Sequence, residues 1–453
     1  MTSSQPQGQQ KARAIAQDLA TLSLLTLALP LNAAVVIPTW LVSALVNRFS
    51  APQTIAAQPK TVLISGGKMT KALQLARSFY RAGHRVILTE THKYWLSGHR
   101  FSRAVDRFYT VPNPDSPDYT QALLKIVQEE QVDAYVPVCS PVASHYDSQA
   151  SVLLSEYCDV IHVDPRKITL LDDKYQFATT AESIGLSAPK SYCITDPQQV
   201  LDFDFSQERY PYILKSISYD SVRRLDLTKL PCETPEATAA FVQSLPISEQ
   251  RPWVMQEFIK GQEYCTHSTL RRGELRLHCC CESSAFQVNY DHVDKPKIED
   301  WVRRFSEHLS LTGQASFDFI ETEDGEVYAI ECNPRTHSAI TLFYDEPEVA
   351  NAYLTQTSQA EPLQPAPSVR PTYWLYHEVW RLLTHLHVPR IALERLGVIL
   401  RGKDAIFDWR DPLPFLMVHH WQITLLLLSD LLKAKGWIRI DFNIGKLVQL
   451  GGD

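Results

Sequence analysis

Residues 315–333 read Ala-Ser-Phe-Asp-Phe-Ile-Glu-Thr-Glu-Asp-Gly-Glu-Val-Tyr-Ala-Ile-Glu-Cys-Asn. Two strand-like runs, Ala315–Ile320 and Val327–Ile330, flank the tight-turn signal Glu323-Asp324-Gly325-Glu326. With Asp324-Gly325 as a two-residue loop, all cross-strand pairs sum to one index. Glu323 then faces Glu326, and Asp318 faces Glu331 on one face of the hairpin. Like charges placed directly opposite destabilise a sheet, so the pair implies a cation between them. Asn333, two residues past Glu331, returns to that face with an amide oxygen. Two carboxylates and an amide oxygen suit Mg²⁺, with Mn²⁺ as an alternative, because Mg²⁺ keeps sites for water and phosphate oxygens. The plainer reading is a solvated hairpin with acidic ends.

A chain of 453 residues allows about three domain-sized units. Its 45% hydrophobic and 21% charged content is that of a globular protein with a large core. A net charge of -7 argues against a nucleic-acid partner held on a basic surface. Nine cysteines, three of them consecutive at Cys279, Cys280 and Cys281, form no C-x-x-C pair. That points to reduced thiols and a cytoplasmic protein, and away from a zinc site.

Residues 19–47, LATLSLLTLALPLNAAVVIPTWLVSALVN, carry no charge. The run exceeds the roughly 20 apolar residues that span a bilayer. Lys11 and Arg13 precede it and Arg48 follows. Pro30, Pro38 and Asn32 are expected to break it as one helix. Two readings stand: membrane contact, or an apolar segment packed on the body. A second apolar patch, Ile423–Leu428, is too short to span and reads as core.

Residues 1–59 form this segment and a linker containing Pro52 and Pro59. Residues 60–165 read as an α/β domain. Thr61–Ile64 is a buried strand, Ser65-Gly66-Gly67 a turn, Lys68–Ala82 a helix, and Arg85–Leu88 the next strand. This βαβ unit implies a parallel sheet. Ala134–Val138 is a further strand. The turn lacks G-x-G-x-x-G, so a structural or acceptor-binding role is preferred to a dinucleotide site. Residues 166–360 read as α+β: a helix Lys174–Ile184, then strands at Tyr212–Lys215, Trp253–Phe258, Tyr264–Thr269 and Arg276–Cys280. A Pro-rich joint after Glu361 leads to a helical extension over 361–453.

Lys174 and Lys215 are each ordinary surface lysines when taken alone. With an acidic hairpin downstream, two ammonium groups can neutralise nucleotide phosphates while Mg²⁺ bridges the rest. Between them and the hairpin lies Trp253-Val-Met-Gln-Glu257-Phe258-Ile259-Lys-Gly261-Gln-Glu263. A strand running into a Gly turn can offer backbone groups to an adenine edge, with Phe258 and Ile259 as walls and Glu263 on ribose hydroxyls.

That order of lysine, lysine, Glu-x-x-x-Gly-x-Glu, Asp and Glu-x-Asn resembles the ATP-grasp superfamily. The resemblance implies two α+β lobes that clamp ATP, an N-terminal parallel-sheet α/β domain, and a helical C-terminal extension in this chain. It implies Lys174 and Lys215 on phosphates, Glu257 to Ile259 at adenine, and Glu263 on ribose. It also implies Asp318, Glu331 and Asn333 on Mg²⁺, and Arg335 as a phosphate or substrate arginine. The stretch Lys215–Arg224 departs from the family in lacking glycine. Its serines and Arg223 and Arg224 are offered as substitutes.

A narrower resemblance rests on Leu63–Phe79, His92–Ser102, Tyr135–Ser148, Ile213–Arg224, Ile330–Ile340 and His419–Leu428. These stretches are similar to the cyanobacterial mycosporine-glycine synthases. That family implies small-molecule substrates, glycine and the cyclohexenone 4-deoxygadusol, joined at the cost of ATP. Arg335, Arg223 and Arg224 are candidates for the glycine carboxylate, and His337 for the amine proton. Two other readings remain open: a ligase or carboxylase with another acceptor, and a membrane-associated nucleotide-binding protein without catalysis.

Overall fold

The structure is a computed structural model and describes residues 7–49, 56–138, 140–217, 223, 226–283 and 289–449. The chain forms two compact units. One comprises Met1–His162, Phe286–His292 and Arg335–Asp453; the other comprises Val163–Ala285 and Val293–Pro334.

The first unit is built on a five-stranded sheet. Its order is Arg107–Val111, Arg85–Thr91, Thr61–Ile64, Ala134–Val136, Asp159–Val160, and every pairing is parallel. Val62, Leu63 and Ile64 are wholly buried. A strand without polar alternation needs cover on both faces, and the helices between successive strands supply it. The helix Thr70–Arg81 follows the first strand, as its apolar spacing predicts.

Ser65-Gly66-Gly67 is a tight turn against Val138. Gly66 has φ +67°, and a Cβ there would lie 1.9 Å from the Val138 carbonyl oxygen. The N–H groups of Gly67, Lys68, Met69 and Thr70 donate to Thr89 O, Glu90 Oε2, Gly66 O and Asn443 O. These four N–H groups are therefore engaged within the fold.

The N-terminal segment departs from expectation. Gln7–Phe49 is one helix of 43 residues with Pro30 and Pro38 inside it. Proline removes a backbone bond and strains the preceding turn, but contacts on both sides of the prolines hold this helix in line. Trp437 Nε1 donates to Asp18 Oδ1 at 2.7 Å, and Gln17 Nε2 donates to Trp437 O. Beyond Pro30, Asn32 bonds to Tyr376 and His420, and Ser43 Oγ donates to Arg410 O. Ile423–Leu428 also differs from its reading. It belongs to a continuous helical run, Leu413–Lys433, long and apolar enough to cross a membrane by length and composition. Ile423 and Leu427 are buried, while Leu428 is exposed. The C-terminal part adds short strands at Thr372–Tyr373, Lys403–Asp404, Trp437–Asp441 and Lys446–Gln449.

The second unit holds two antiparallel sheets. In one, Trp253–Glu257 lies between Ser191–Ile194 and Tyr212–Ser216. The other has the order Glu274–Glu282, Gln262–Arg271, Gly313–Glu321, Val327–Asn333. The helices Lys174–Ser183 and Pro296–His308 pack on this second sheet through Phe177, Trp301 and Phe305, which meet Phe317 and Phe319. Those two phenylalanines alternate with Asp318 along one strand. Their burial fixes the aspartate on the opposite face.

Candidate active site

The acidic hairpin pairs Asp318 with Glu331, but not by the expected loop. Thr322 N–H donates to Glu326 O and Gly325 N–H to Thr322 O, so the turn spans Thr322–Glu326. Its last ladder pair is Glu321 with Val327, not Glu323 with Glu326. Glu321, Ile320 and Phe319 pair with Val327, Tyr328 and Ala329. Ile330 is then skipped in a bulge, and Asp318 meets Glu331. The longer turn shifts the register one way and the bulge shifts it back. Without the bulge, Asp318 would face Ile330.

Lys174 opens the helix Lys174–Ser183. Asp173 caps it by accepting N–H bonds from Tyr175 and Gln176 at 2.9 and 3.1 Å. The cap fixes the first turn, and Lys174 Nζ lies 3.1 Å from Glu331 Oε2. Asn333 Nδ2 lies 3.3 Å from Glu331 Oε1 and 3.4 Å from Asp318 Oδ2. Burial raises the Glu331 pKa, but Lys174 and Lys215 outweigh it and hold the carboxyl well below the usual range. Lys174 is pushed up, chiefly by Glu331. Lys215, on Tyr212–Ser216, is pushed down by burial, with Glu331, Glu263 and Asp318 opposing and Lys174 adding. The structure thus brings Lys174, Lys215, Asp318, Glu331 and Asn333 into one electrostatic group within one unit.

The donor set fits Mg²⁺: hard oxygens and few of them. Among the described residues no three His, Cys, Asp or Glu side chains converge as a metal-binding group. Two carboxylates and an amide are consistent with an ion that relies on water and phosphate for its other ligands.

The segment expected at adenine is more constrained than its sequence suggests. Glu257 N–H donates to Lys190 O, and its Oε2 accepts Lys190 N–H at 2.9 Å. Phe258 N–H donates to Pro211 O. Burial raises the Glu257 carboxyl. Lys229 Nζ stands 4.5 Å above the Phe258 ring, and Ile259 is buried. Of the three backbone N–H groups from Glu257 to Ile259, two are spent on the sheet, which leaves that of Ile259. Glu263 is exposed at the start of Gln262–Arg271 and pairs with Ile320 of the hairpin strand. Gly261 ties the two segments together: a Cβ there would lie 2.1 Å from the Glu321 carbonyl oxygen. Neither this close approach nor the bulge at Ile330 was read from the sequence. The lone glycine of Glu257–Glu263 was the available signal for the first.

Arg335 falls in the first unit, half-buried. His337 is also there. Burial, Lys71 and Arg335 push its pKa down to about 3. Its Nδ1 accepts the Ala339 N–H at 3.3 Å and its ring meets Tyr290 edge-on. Ser218–Val222 and Arg224 of the glycine-free loop lie outside the described residues, as does Cys139.

Residues 171–339 match the family model described as an ATP-grasp domain. Among curated proteins, the chain is 25% identical over 201 residues to the arginine-specific carbamoyl phosphate synthase large chain of Neurospora crassa mitochondria. That match covers 39% of this chain and 16% of the relative, so the chain spans about a sixth of the protein it matches. Among solved structures, the ADP complex of an N5-carboxyaminoimidazole ribonucleotide synthetase superposes with a TM-score of 0.52 at 14% identity. It covers 70% of this chain and 82% of that one. The Staphylococcus aureus N5-carboxyaminoimidazole synthetase with ADP gives 0.50 at 15% identity, over 71% and 82%. The biotin carboxylase domain of Hydrogenobacter thermophilus 2-oxoglutarate carboxylase, with MgADP and bicarbonate, gives 0.50 at 13%, over 67% and 72%. At such identities the likeness is one of fold, and the fold is that of an ATP-grasp domain within a mixed α/β chain. Members of the ATP-grasp family are ATP-dependent ligases that form C–N bonds, and ATP with Mg²⁺ is their usual cofactor pair.

Proposed function

We propose that this chain is an ATP-dependent carbon–nitrogen ligase that joins glycine to 4-deoxygadusol, giving mycosporine-glycine, ADP and phosphate. The observation that carries the ligase reading is the pairing of Asp318 with Glu331 beside Lys174 and Lys215 in an ATP-grasp domain. The choice of substrates rests on the six stretches that resemble mycosporine-glycine synthases.

Asp318 and Glu331, with Asn333, would hold Mg²⁺, which when bound offsets charge on the nucleotide phosphates. Lys174 then exchanges its carboxylate partner for phosphate oxygens, and Lys215 reaches them from the neighbouring sheet. The adenine edge takes the Ile259 N–H, and Glu263 accepts from ribose hydroxyls. The enol oxygen of the cyclohexenone attacks the γ-phosphoryl group, its proton goes to solvent or a base, and ADP leaves. The glycine amine adds to the ring carbon now bearing phosphate. Phosphate departs with the C–O bond electrons, the amine loses a proton, and an enaminone remains. Lys215 offsets charge moving onto the leaving ADP.

A second reading keeps the ATP site and changes the acceptor, as in a carboxylase; the fold neighbour with bicarbonate favours it. Purified protein with ATP, Mg²⁺, glycine and 4-deoxygadusol distinguishes the two. Glycine-dependent ADP release together with a red-shifted chromophore is expected. ADP release that ignores glycine and tracks bicarbonate would sink the first reading. Membrane contact through the N-terminal segment belongs to this proposal as its cellular setting.

A further inference from the structure

The long N-terminal helix is tied to the C-terminal part of its own unit along its length. Its polar contacts with the first unit run from Gln17 and Asp18 through Asn32 to Ser43. Twenty-six residues of helix are about 39 Å long, more than the roughly 30 Å of a hydrocarbon core, and one partner, His420, belongs to Leu413–Lys433, the second run apolar and long enough to cross a membrane. Only 11% of the N-terminal helix's most apolar window is buried, however. Leu24, Leu27, Leu31, Val35, Trp40, Leu41 and Leu45 stand exposed.

A second apolar face belongs to the same unit. Leu375–Thr384 and Pro389–Arg401 form a helical hairpin, and no residue of its second helix is buried. Trp380, Leu383, Leu386, Leu393, Leu396 and Leu400 are exposed on it. Asn32 of the long helix bonds to Tyr376 at the hairpin's start. Patches of this extent on a folded chain mark an interaction surface.

Charge selects the occupant. Between Arg370 and Arg401 the chain carries five arginines against two glutamates, within a protein of net charge -7. Lys11 and Arg13 are exposed at the helix start. Trp40, Trp380, Trp409 and Trp421 are all exposed. On the hairpin, exposed leucine and tryptophan with Arg370, Arg390 and Arg401 exposed around them form the pattern of an element lying in the headgroup region of an anionic leaflet. Beside the helix, Trp40, Tyr80, Leu413, Arg103, Arg410 and Asp411 line a cleft of about 440 Å³.

We propose that the first unit docks on an anionic membrane through the 375–401 hairpin beside the N-terminal helix. This rests on no assumption about the ligase reaction. The test floats the full-length protein with phosphatidylcholine vesicles, with and without about a third phosphatidylglycerol. Flotation that needs the anionic lipid is expected. The variant Trp380→Ser, Leu383→Ser, Leu396→Ser, Leu400→Ser, with native circular dichroism, should bind at least about tenfold more weakly, since four side chains lose apolar burial. Brominated lipid should quench the fluorescence that Trp380→Phe removes. If Trp380 is not quenched and the hairpin variant floats as well as the parent, the hairpin is not in the leaflet and the proposal fails. No flotation, with a concentration-dependent dimer that the hairpin substitutions abolish, would assign the face to a second copy of the chain and overturn it equally.

Discussion

Glu331 is negative among two cations and a second carboxylate, and its charge state carries the site. Lys174 at 3.1 Å and the half-buried Lys215 hold it ionised against burial. Glu331→Gln keeps the shape and removes the charge. Under the proposed function, turnover should fall at least about a thousandfold, as expected when a fixed charge that orients metal and phosphate is lost. Circular dichroism should stay native. Near-normal turnover would remove Glu331 from the metal site. Lys215→Ala tests the nucleotide role: ATP binding should weaken by about tenfold or more while glycine affinity holds. Equal losses for both ligands would count against it. At this scale the sequence was informative, because Lys174, Lys215, Asp318, Glu331 and Asn333 do converge in the structure. It was informative partly by compensation: the predicted two-residue loop was too short, and the bulge at Ile330 repaired the register. A bulge leaves no sequence mark when the skipped residue, an isoleucine, suits a strand as well as its neighbours do.

Elements show why the remaining errors arose. Pro30 and Pro38 are local breakers, and local signals predicted a broken segment. Tertiary contacts at Asp18, Asn32 and Ser43 lie hundreds of residues away in sequence from their partners, so no window could register them. The parallel sheet was legible because uninterrupted apolar strands alternate with a helical period. Two glycines separate two physical causes. Gly261 lacks room: an added Cβ meets the Glu321 carbonyl oxygen at 2.1 Å and its carbon at 2.7 Å. Gly185 has room, with nothing within 4 Å, but φ is +72°. Gly185→Ala should cost about 1 kcal/mol, the strain of one left-handed residue. Gly261→Ala must push strands apart and should cost about 1–3 kcal/mol. Because Gly261 ties the Glu257–Ile259 segment to the hairpin strand, it should also raise KM for ATP. Denaturant midpoints and ATP titrations of both variants would check this. A larger midpoint shift for Gly185→Ala would refute the packing argument.

For the molecule as a whole, the distribution of buried histidines sets an acid limit. His99, His337 and His419 are in the first unit, and each has its pKa pushed down to about 3, in every case chiefly by burial. All three are neutral in the folded chain at pH 5. In the unfolded chain each would bind a proton below about pH 6.5. The unfolded state therefore binds more protons between about pH 6.5 and pH 3, and stability rises with pH across that window. Asp404 runs the other way, since burial raises its carboxyl, but its titration starts from the carboxylate range. Between pH 6.5 and pH 5 one fully buried neutral histidine contributes a loss of about 2 kcal/mol. Three together are comparable with much of a domain's net stability. Urea midpoints followed by tryptophan fluorescence should thus fall steeply from pH 7 to pH 5. His419→Gln should flatten that slope by about one proton's worth, whatever it does to the midpoint at pH 7. An unchanged midpoint over the same range would mean that these histidines gain solvent or a counter-charge as the pH falls, and that the first unit opens before it unfolds.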